Sequence, residues 1–350
     1  MHIALDAMGG DRGTDELVSG AVRAVQEMDV EVTLIGDEKL IRESLSRHAG
    51  GHSRLHVVHT SEVISMDESP IEAVRKKKDS SIVQAFALHK SGDVGAVVSA
   101  GNSGATMAAA VKKLGRLKNI SRPGIASMFP TLKDPVVVMD AGANVDCRPQ
   151  HLYQFGVMAA AFSRVLFDKS QPRIGLLSIG EEVGKGNLLV KKTHALLSKS
   201  SLNFVGNIEG RHTFQGDVDV IVCDGFVGNV CLKLSEGLAE AVVAMLREEI
   251  KKSFLAMAGY TLARGAFANL KRRIDYAEYG GAPLLGLNGT GIVCHGRSNA
   301  LAIKNAILMA AELIKNNVNE LILNLLEDQD FIEQGNNRLT SGDAETESSS

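Results

Sequence analysis

No two of the four cysteines, Cys147, Cys223, Cys231 and Cys294, form a CxxC pair, and each lies in apolar or glycine-rich sequence. This points away from a zinc or redox centre and towards buried, reduced thiols in a cytoplasmic protein. A large excess of charge of one sign is missing as well. The net charge is −3 and no long basic stretch occurs, so there is no electrostatic footprint for nucleic acid. No apolar run is long enough to cross a bilayer. The chain opens directly on His2-Ile3-Ala4-Leu5-Asp6, a strand, with no secretory leader pattern ahead of it. A GxSxG elbow and an internal repeat are both missing, so the usual signature of an activated serine is absent.

What the sequence does contain is a regular alternation of buried strands and amphipathic helices. Strand patterns cover His2–Asp6, Val32–Gly36, Leu55–His59, Arg173–Ile179, Val218–Cys223 and Ile292–His295, and an apolar run ends at Val97-Val98. Helical patterns begin near Thr14, over Lys39–Arg47, at Pro70, over Ala105–Leu114, over Pro149–Phe167 and from Val230 to Lys252. Ile125–Met128 and Pro135–Met139 read as a hairpin through Thr131-Leu132-Lys133-Asp134. Such alternation implies a mostly parallel sheet covered on both faces, with ligands outside the carboxyl ends of the strands. The 350 residues suffice for a large core without disulfide or metal staples.

Five of these strands end in glycine mixed with Asp, Asn, Ser or Lys. The runs are Asp6-Ala7-Met8-Gly9-Gly10-Asp11, Ser99-Ala100-Gly101-Asn102-Ser103-Gly104, Asp140-Ala141-Gly142-Ala143-Asn144, Gly180–Asn187 around Lys185, and Asp224-Gly225-Phe226-Val227-Gly228-Asn229. The second run leads straight into a helix, where free N–H groups and the helix dipole favour an anion such as phosphate. It is neither GxGxxG nor a P-loop, because no Gly-Lys-Ser/Thr follows. Ordinary turns use the same residue types, but five such ends on one sheet edge suggest a site. Gly280–Gly286 and Asn288–Gly291 read as further small polar turns, Ser298 as the N-cap of a last helix, and His295 as either a base or a structural histidine.

Phe254–Tyr276 stands apart. Phe254, Leu255, Met257, Tyr260, Leu262, Phe267 and Leu270 alternate with Lys251, Lys252, Arg264, Lys271, Arg272 and Arg273. A basic amphipathic segment of this kind suits an anionic membrane or a second subunit, and the two are not exclusive. Arg75-Lys76-Lys77-Lys78 is either a solvated helix end or a docking patch for an acidic partner. Residues 338–350 read as a disordered acidic tail, and 1–337 as one domain.

Taken together, the glycine runs and Gly280-Gly281-Ala282-Pro283-Leu284-Leu285-Gly286 resemble one family in order along the chain to about Leu326. It is that of the phosphate acyltransferases of bacterial phospholipid synthesis, the PlsX family. The resemblance implies transfer of a long-chain acyl group from acyl carrier protein to inorganic phosphate, and a membrane glycerol-3-phosphate acyltransferase that consumes the acyl phosphate. It further implies a three-layer α/β/α fold like that of isocitrate and isopropylmalate dehydrogenases, a homodimer, and cytoplasmic work at the membrane surface without a cofactor.

Phosphate is itself a nucleophile with a second pKa near ~6, so neither an activated Ser nor a Cys–His pair is required. The thiol leaving group has a pKa of only about 8.5, which leaves positioning and charge neutralisation to supply the rate. On that chemistry Asn102, Ser103 and Gly104 are expected on phosphate, Lys185 as a closing cation, and Asn229 with N–H groups near Gly228 on the oxyanion. Asp6, Gly9, Gly10 and Asp11 are expected to order the first loop, and Asp140, Asn144 and Asp224 to orient donors. Arg264, Lys271, Arg272 and Arg273 are the expected carrier-protein contacts, and Phe254, Leu255, Leu262 and Phe267 the membrane contacts. The rival readings are a short-chain phosphotransacetylase using coenzyme A, a metal- and NAD(P)-dependent dehydrogenase drawing on Asp140, Asp146, Asp219 and Asp224, and a non-catalytic carrier-protein scaffold.

Overall fold

The computed structural model describes residues 1–48, 53–274 and 278–327. The acidic tail expected at 338–350 lies outside them. Eleven strands form one sheet: β1 (His2–Asp6), β2 (Glu31–Gly36), β3 (Leu55–His59), β4 (Ala96–Ser99), β5 (Gly124–Phe129), β6 (Val136–Met139), β7 (Ile174–Leu177), β8 (Phe204–Ile208), β9 (Val220–Val222), β10 (Ala282–Leu285) and β11 (Thr290–Val293). Their side chains alternate between two apolar layers, as the two-residue period of a strand requires. Ile3, Leu5, Val32, Leu34, Val137 and Val220 face one core, whereas Ala4, Ile35, Val138 and Ile221 face the opposite side. Strands buried on both faces read as unbroken hydrophobic runs, which is why β1, β4 and β9 were legible.

Helices cover both faces. α1 (Thr14–Glu27), α6 (Pro149–Phe167) and α11 (Ala300–Lys315) pack on the first core. α3 (Pro70–Lys76), α4 (Ser81–Ser91) and α5 (Ser103–Leu114) pack on the second. α2 (Glu38–Arg47) and α7 (Leu188–Leu197) flank the two ends of the sheet. Three further helices run in succession: α8 (Gly225–Lys251), α9 (Phe254–Leu262) and α10 (Arg264–Ile274). The three-layer α/β/α arrangement expected from the alternation is therefore present.

The strand order is β3-β2-β1-β4-β11-β10-β5-β6-β9-β7-β8. β10 runs antiparallel to both of its neighbours, and β6 antiparallel to β5 in the expected hairpin. Two details depart from expectation. Ala282–Leu285 is a central strand and not a turn; Pro283 is tolerated because β5 pairs only with Leu284 and Leu285. The N-cap of α11 is Asn299, whose side chain accepts from Ala302 N, in place of Ser298. Sequence periodicity also missed α4, α7 and β8, which are short and lie between stronger signals.

A third departure concerns the loop-bearing edge. β1, β4, β11 and β5 point one way, while β6, β9, β7 and β8 point the other. The five glycine-rich strand ends are thus split between two halves of opposite polarity. The ordinary twist of a sheet acts against this separation. At about 20–25° per strand, the seven steps from β1 to β7 turn the second half through roughly 140–175°.

Gly228 is the tightest point in that arrangement, since a Cβ there would sit 1.9 Å from the Asp140 carbonyl oxygen. Gly237, in the same helix, has no atom within 4 Å of its Cβ position. Gly228→Ala should therefore lower unfolding stability by about 3 kcal/mol. Gly237→Ala should raise it by about 0.5–1 kcal/mol through helix propensity alone. Urea unfolding of the two variants beside the wild type checks both signs.

Candidate active site

At the end of β1, Asp6 is buried and ties two strands together. Its carboxylate accepts from Ser99 Oγ at 2.7 Å and from Met8 N at 3.2 Å. Ser99 Oγ in turn accepts from Gly101 N at 3.1 Å. Gly9 lies so close to the second loop that a Cβ would come within 2.6 Å of Gly101 N. Asp11 N donates to Gly296 O at 2.7 Å, which joins the loop after β11. Asp6–Asp11, Ser99–Gly104 and His295–Asn299 thus form one cluster. A small cavity behind it is lined by Asp6, Ser81, Ser99, Asn102 and Thr106 among others. Burial pushes the Asp6 carboxyl above its usual value.

Asn102 is the N-cap of α5. Its Oδ1 accepts from Ala105 N at 3.0 Å, and its Nδ2 donates to the carbonyls of Met66 and Glu68 at 3.1 Å each. The side chain placed on phosphate by sequence reasoning is thereby committed to holding the 65–68 segment. Ser103 and Gly104 differ. Both are exposed, and among the described residues their backbone N–H groups meet no acceptor. Two unpaired donors at the positive end of a helix are suited to an oxyanion.

The second cluster is built on Asp140, which is fully buried. Its carboxylate accepts five hydrogen bonds, from the N–H groups of Ile125, Gly142, Ala143 and Asn144 and from Asn144 Nδ2, at 2.6–3.3 Å. Burial pushes its pKa up against the pull of those donors. Gly225 N donates to Asn144 O at 2.7 Å, and Asp224 caps α8 by accepting from Val227 N at 2.9 Å. Gly142 packs on Asn229, its Cβ position 3.4 Å from the Asn229 side chain. Asn229 is exposed, one turn into α8. Asp140, Asn144, Asp224 and Asn229 are therefore neighbours.

Cys147, Cys223 and Cys231 lie beside this cluster, and each thiol is pushed up by burial, Cys147 to about 11. They stay protonated near neutrality and supply no thiolate. Asp219 sits at the other end of β9, where Arg173 Nε reaches it at 3.0 Å. The carboxylate set wanted by a metal-dependent dehydrogenase is thus pulled apart.

α8 joins the two clusters. Arg297 Nη1 lies 3.8 Å from Glu240 Oε1. His295 feels the charges of Lys233, Glu236, Arg297 and Asp11, and its Nδ1 accepts from Arg297 N at 3.1 Å. Burial first, then Lys233, lowers its pKa, so the imidazole is neutral near pH 7. At 1.5 Å per residue, the turn from Asn229 to Lys233 spans about 6 Å. Asn229 therefore stands one helical turn before the residue of α8 whose charge acts on His295. His295, Lys233 and Glu236 were not singled out together from sequence, because nothing in their spacing says that one helix crosses to another half of the sheet.

Lys185 lies in the loop after β7. It is exposed, and its ammonium meets no carboxylate among the described residues. Asn187 caps α7 through Val190 N at 2.9 Å. On the arm formed by α9 and α10, Arg264, Lys271, Arg272 and Arg273 are exposed, and Arg273 Nη2 donates to the carbonyls of Thr131 and Leu132 at 3.1 Å each. Arg273 is a pin between α10 and the β5–β6 turn. Phe254, Leu255 and Leu262 are among the most exposed apolar side chains, at 83%, 81% and 90%, and Phe267 packs on Tyr260 with ring centroids 5.0 Å apart.

Residues 1–321 match the family described as fatty acid synthesis protein. The phosphate acyltransferase of Geobacter sp. strain M21 is 55% identical over 319 residues, covering 91% of each chain. That of Geotalea uraniireducens is 54% identical over 328 residues, 94% of this chain and 95% of the other. Among solved structures, a phosphotransacetylase from Streptococcus pyogenes superposes with a TM-score of 0.60 at 20% identity, over 90% of this chain and 94% of that one. A 4-hydroxythreonine-4-phosphate dehydrogenase from Klebsiella pneumoniae reaches 0.50 at 13% identity, over 90% and 97%. At such identities the likeness is one of fold, and it is the dehydrogenase-like fold expected from the sequence.

A carboxyl with a raised folded pKa favours the folded state only while protonated. For Asp6 that contribution is complete below the usual 3.8 and is lost as pH rises through the raised value. From about pH 4 upward, wild type should therefore lose stability relative to Asp6→Asn. Urea unfolding of both proteins across the acid-to-neutral range checks this; a constant difference would mean that Ser99 and Met8 hold the carboxylate ionised.

Proposed function

The chain belongs to the family described as fatty acid synthesis protein, whose curated relatives at 51–55% identity are phosphate acyltransferases, and from that premise we propose that it takes a long-chain acyl group from acyl carrier protein and delivers it to inorganic phosphate. Acyl transfer to phosphate is the activity of this enzyme class. The long-chain carrier-protein donor, and a role for the acyl phosphate in phospholipid synthesis through a membrane glycerol-3-phosphate acyltransferase, are the finer reading. The observation that carries it is the α9–α10 arm. Exposed Phe254, Leu255 and Leu262 stand beside exposed Arg264, Lys271 and Arg272, a surface suited to an acidic carrier and a lipid chain.

Phosphate is assigned to the N–H groups of Ser103 and Gly104, with Lys185 closing over it. One phosphate oxygen attacks the thioester carbonyl carbon, and the oxyanion that forms is received by Asn229 Nδ2; the expected N–H donors near Gly228 are not free, because Gly225 N is bonded to Asn144 O and Val227 N and Gly228 N to Asp224. The intermediate collapses by breaking the carbon–sulfur bond; the carrier thiolate leaves and takes a proton from solvent. One oxyanion donor is typically worth about 3 kcal/mol, so Asn229→Ala should lower kcat near a hundredfold or more. Neutral His295 would add a donor without adding charge.

No helix among the described residues is long and apolar enough to cross a membrane, and the reading is of peripheral attachment to a cytoplasmic membrane face. Burying Phe254, Leu255 and Leu262 at roughly 2 kcal/mol each gives reversible binding, comparable to one acyl anchor. On α8, Val230, Leu234, Leu238, Val242 and Met245 are exposed and share an arc of about 120° at 100° per residue. Lys233, Glu236 and Glu240 lie on the opposite arc, towards His295 and Arg297. A second copy of the chain against the apolar arc, as a homodimer, accounts for that division.

Purified protein supplied with phosphate should form acyl phosphate, trapped as hydroxamate, from a long-chain acyl carrier protein and not from acetyl-coenzyme A. The reverse preference would make it a short-chain phosphotransacetylase, and no product from either would leave a carrier-binding scaffold. Lys185→Ala should raise the phosphate KM at least tenfold; unchanged KM and kcat would remove it from the site. Leu262→Asp should abolish sedimentation with anionic vesicles while leaving solution turnover intact, and retained sedimentation would assign membrane contact elsewhere.

A further inference from the structure

Far from the glycine loops, the amino ends of three adjacent strands bring two imidazoles and a carboxylate together. His2 is opposite Glu31 in the β1–β2 register, and Thr33 is opposite His56 in the β2–β3 register. Positions 31 and 33 of one strand share a face, so His2, Glu31, Thr33 and His56 rise from the same side of the sheet. One ligand atom each from His2, Glu31 and His56 lies within 4.8 Å of the other two. The His2 and His56 rings have centroids 5.3 Å apart. None of these residues takes part in the acyl-transfer site.

We propose that His2, Glu31 and His56 bind one divalent transition-metal ion, with zinc the best fit, and that the ion clips β1, β2 and β3 together. Two imidazoles and one carboxylate form a borderline donor set that suits zinc over magnesium or calcium, which prefer all-oxygen cages. Ligands around tetrahedral zinc at about 2.0–2.1 Å stand roughly 3.3 Å apart. His56 Nε2 and Glu31 Oε2 are already 3.0 Å apart, sharing a proton that the metal would replace. His2 lies within 4.8 Å of both, so a shift of at most about 1.5 Å completes the trio. Its ring is held by Thr33 Oγ1 at 2.7 Å from Nε2, a bond the metal would replace if that nitrogen is the ligand. Glu31 and His56 are exposed, which leaves the fourth position to water.

Zinc alone is the probe, added to the untagged full-length chain in competition with a chromogenic chelator. One zinc per chain should bind, and His2→Ala, Glu31→Gln and His56→Ala should each weaken binding at least tenfold. Zinc should raise the melting temperature of wild type and not of the three variants, whose metal-free melting and acyl-transfer activity should match wild type. Failure of the wild type to take zinc from the chelator would overturn the proposal. So would equal zinc affinity in all three variants, which would place the ion on other groups such as the thiols.

Discussion

The carbonyl oxygen of Asp140 occupies the place where a side chain at position 228 would begin, and from that contact follows much of what the molecule can do. Backbone meets backbone there, so α8 starts hard against the end of β6. The five donors gathered by the Asp140 carboxylate make the loop it meets rigid. A buried carboxylate satisfied by so many N–H groups resists rearrangement, because releasing one donor leaves two groups unpaired in a low-dielectric setting. The start of α8 is consequently held to one position, and its length projects from a fixed root. Where that helix goes decides whether the two halves of the sheet share a site.

It crosses. Glu240 reaches Arg297, and Lys233 and Glu236 act on His295, which belongs to the other half. The opposed polarity of the two halves would separate their loops in a flat sheet. α8 links them, reaching from the end of β9 to Arg297 and His295. This geometry suits chemistry that needs no activated nucleophile of its own. The thiols near the site are driven towards the protonated state by burial, and the groups left to act are N–H donors, an amide and a mobile ammonium. Such a set positions and stabilises an anion and does little else.

Much of this was legible in the sequence for physical reasons. Strands buried on both faces are uniformly apolar, so β1, β4, β6 and β9 declare themselves. Gly9, Gly101 and Gly228 mark close approaches of backbone to backbone or helix to strand. β10 was illegible because four residues between glycines carry no period, and its Pro283 argues against a central strand until the missing partner on one side is seen. Asn102 was recognisable as belonging to a helix-starting turn, but its engagement with Met66 and Glu68 depends on a segment 34–36 residues away. Arg273 looked like any member of a basic run; its bonds to Thr131 and Leu132 join parts of the chain 141–142 residues apart.

Composition and pattern by themselves determined the α/β class, the positions of the glycine-bearing strand ends and the amphipathic character of the arm. Each of these is a local property, written in the spacing of apolar residues and in the few residue types that a tight turn accepts. Only the tertiary structure decided which strand ends meet, which cations are already engaged, and which face of α8 remains uncovered. Those outcomes follow from strand order and sheet twist, which are set by the packing of the whole chain and by no short stretch of it.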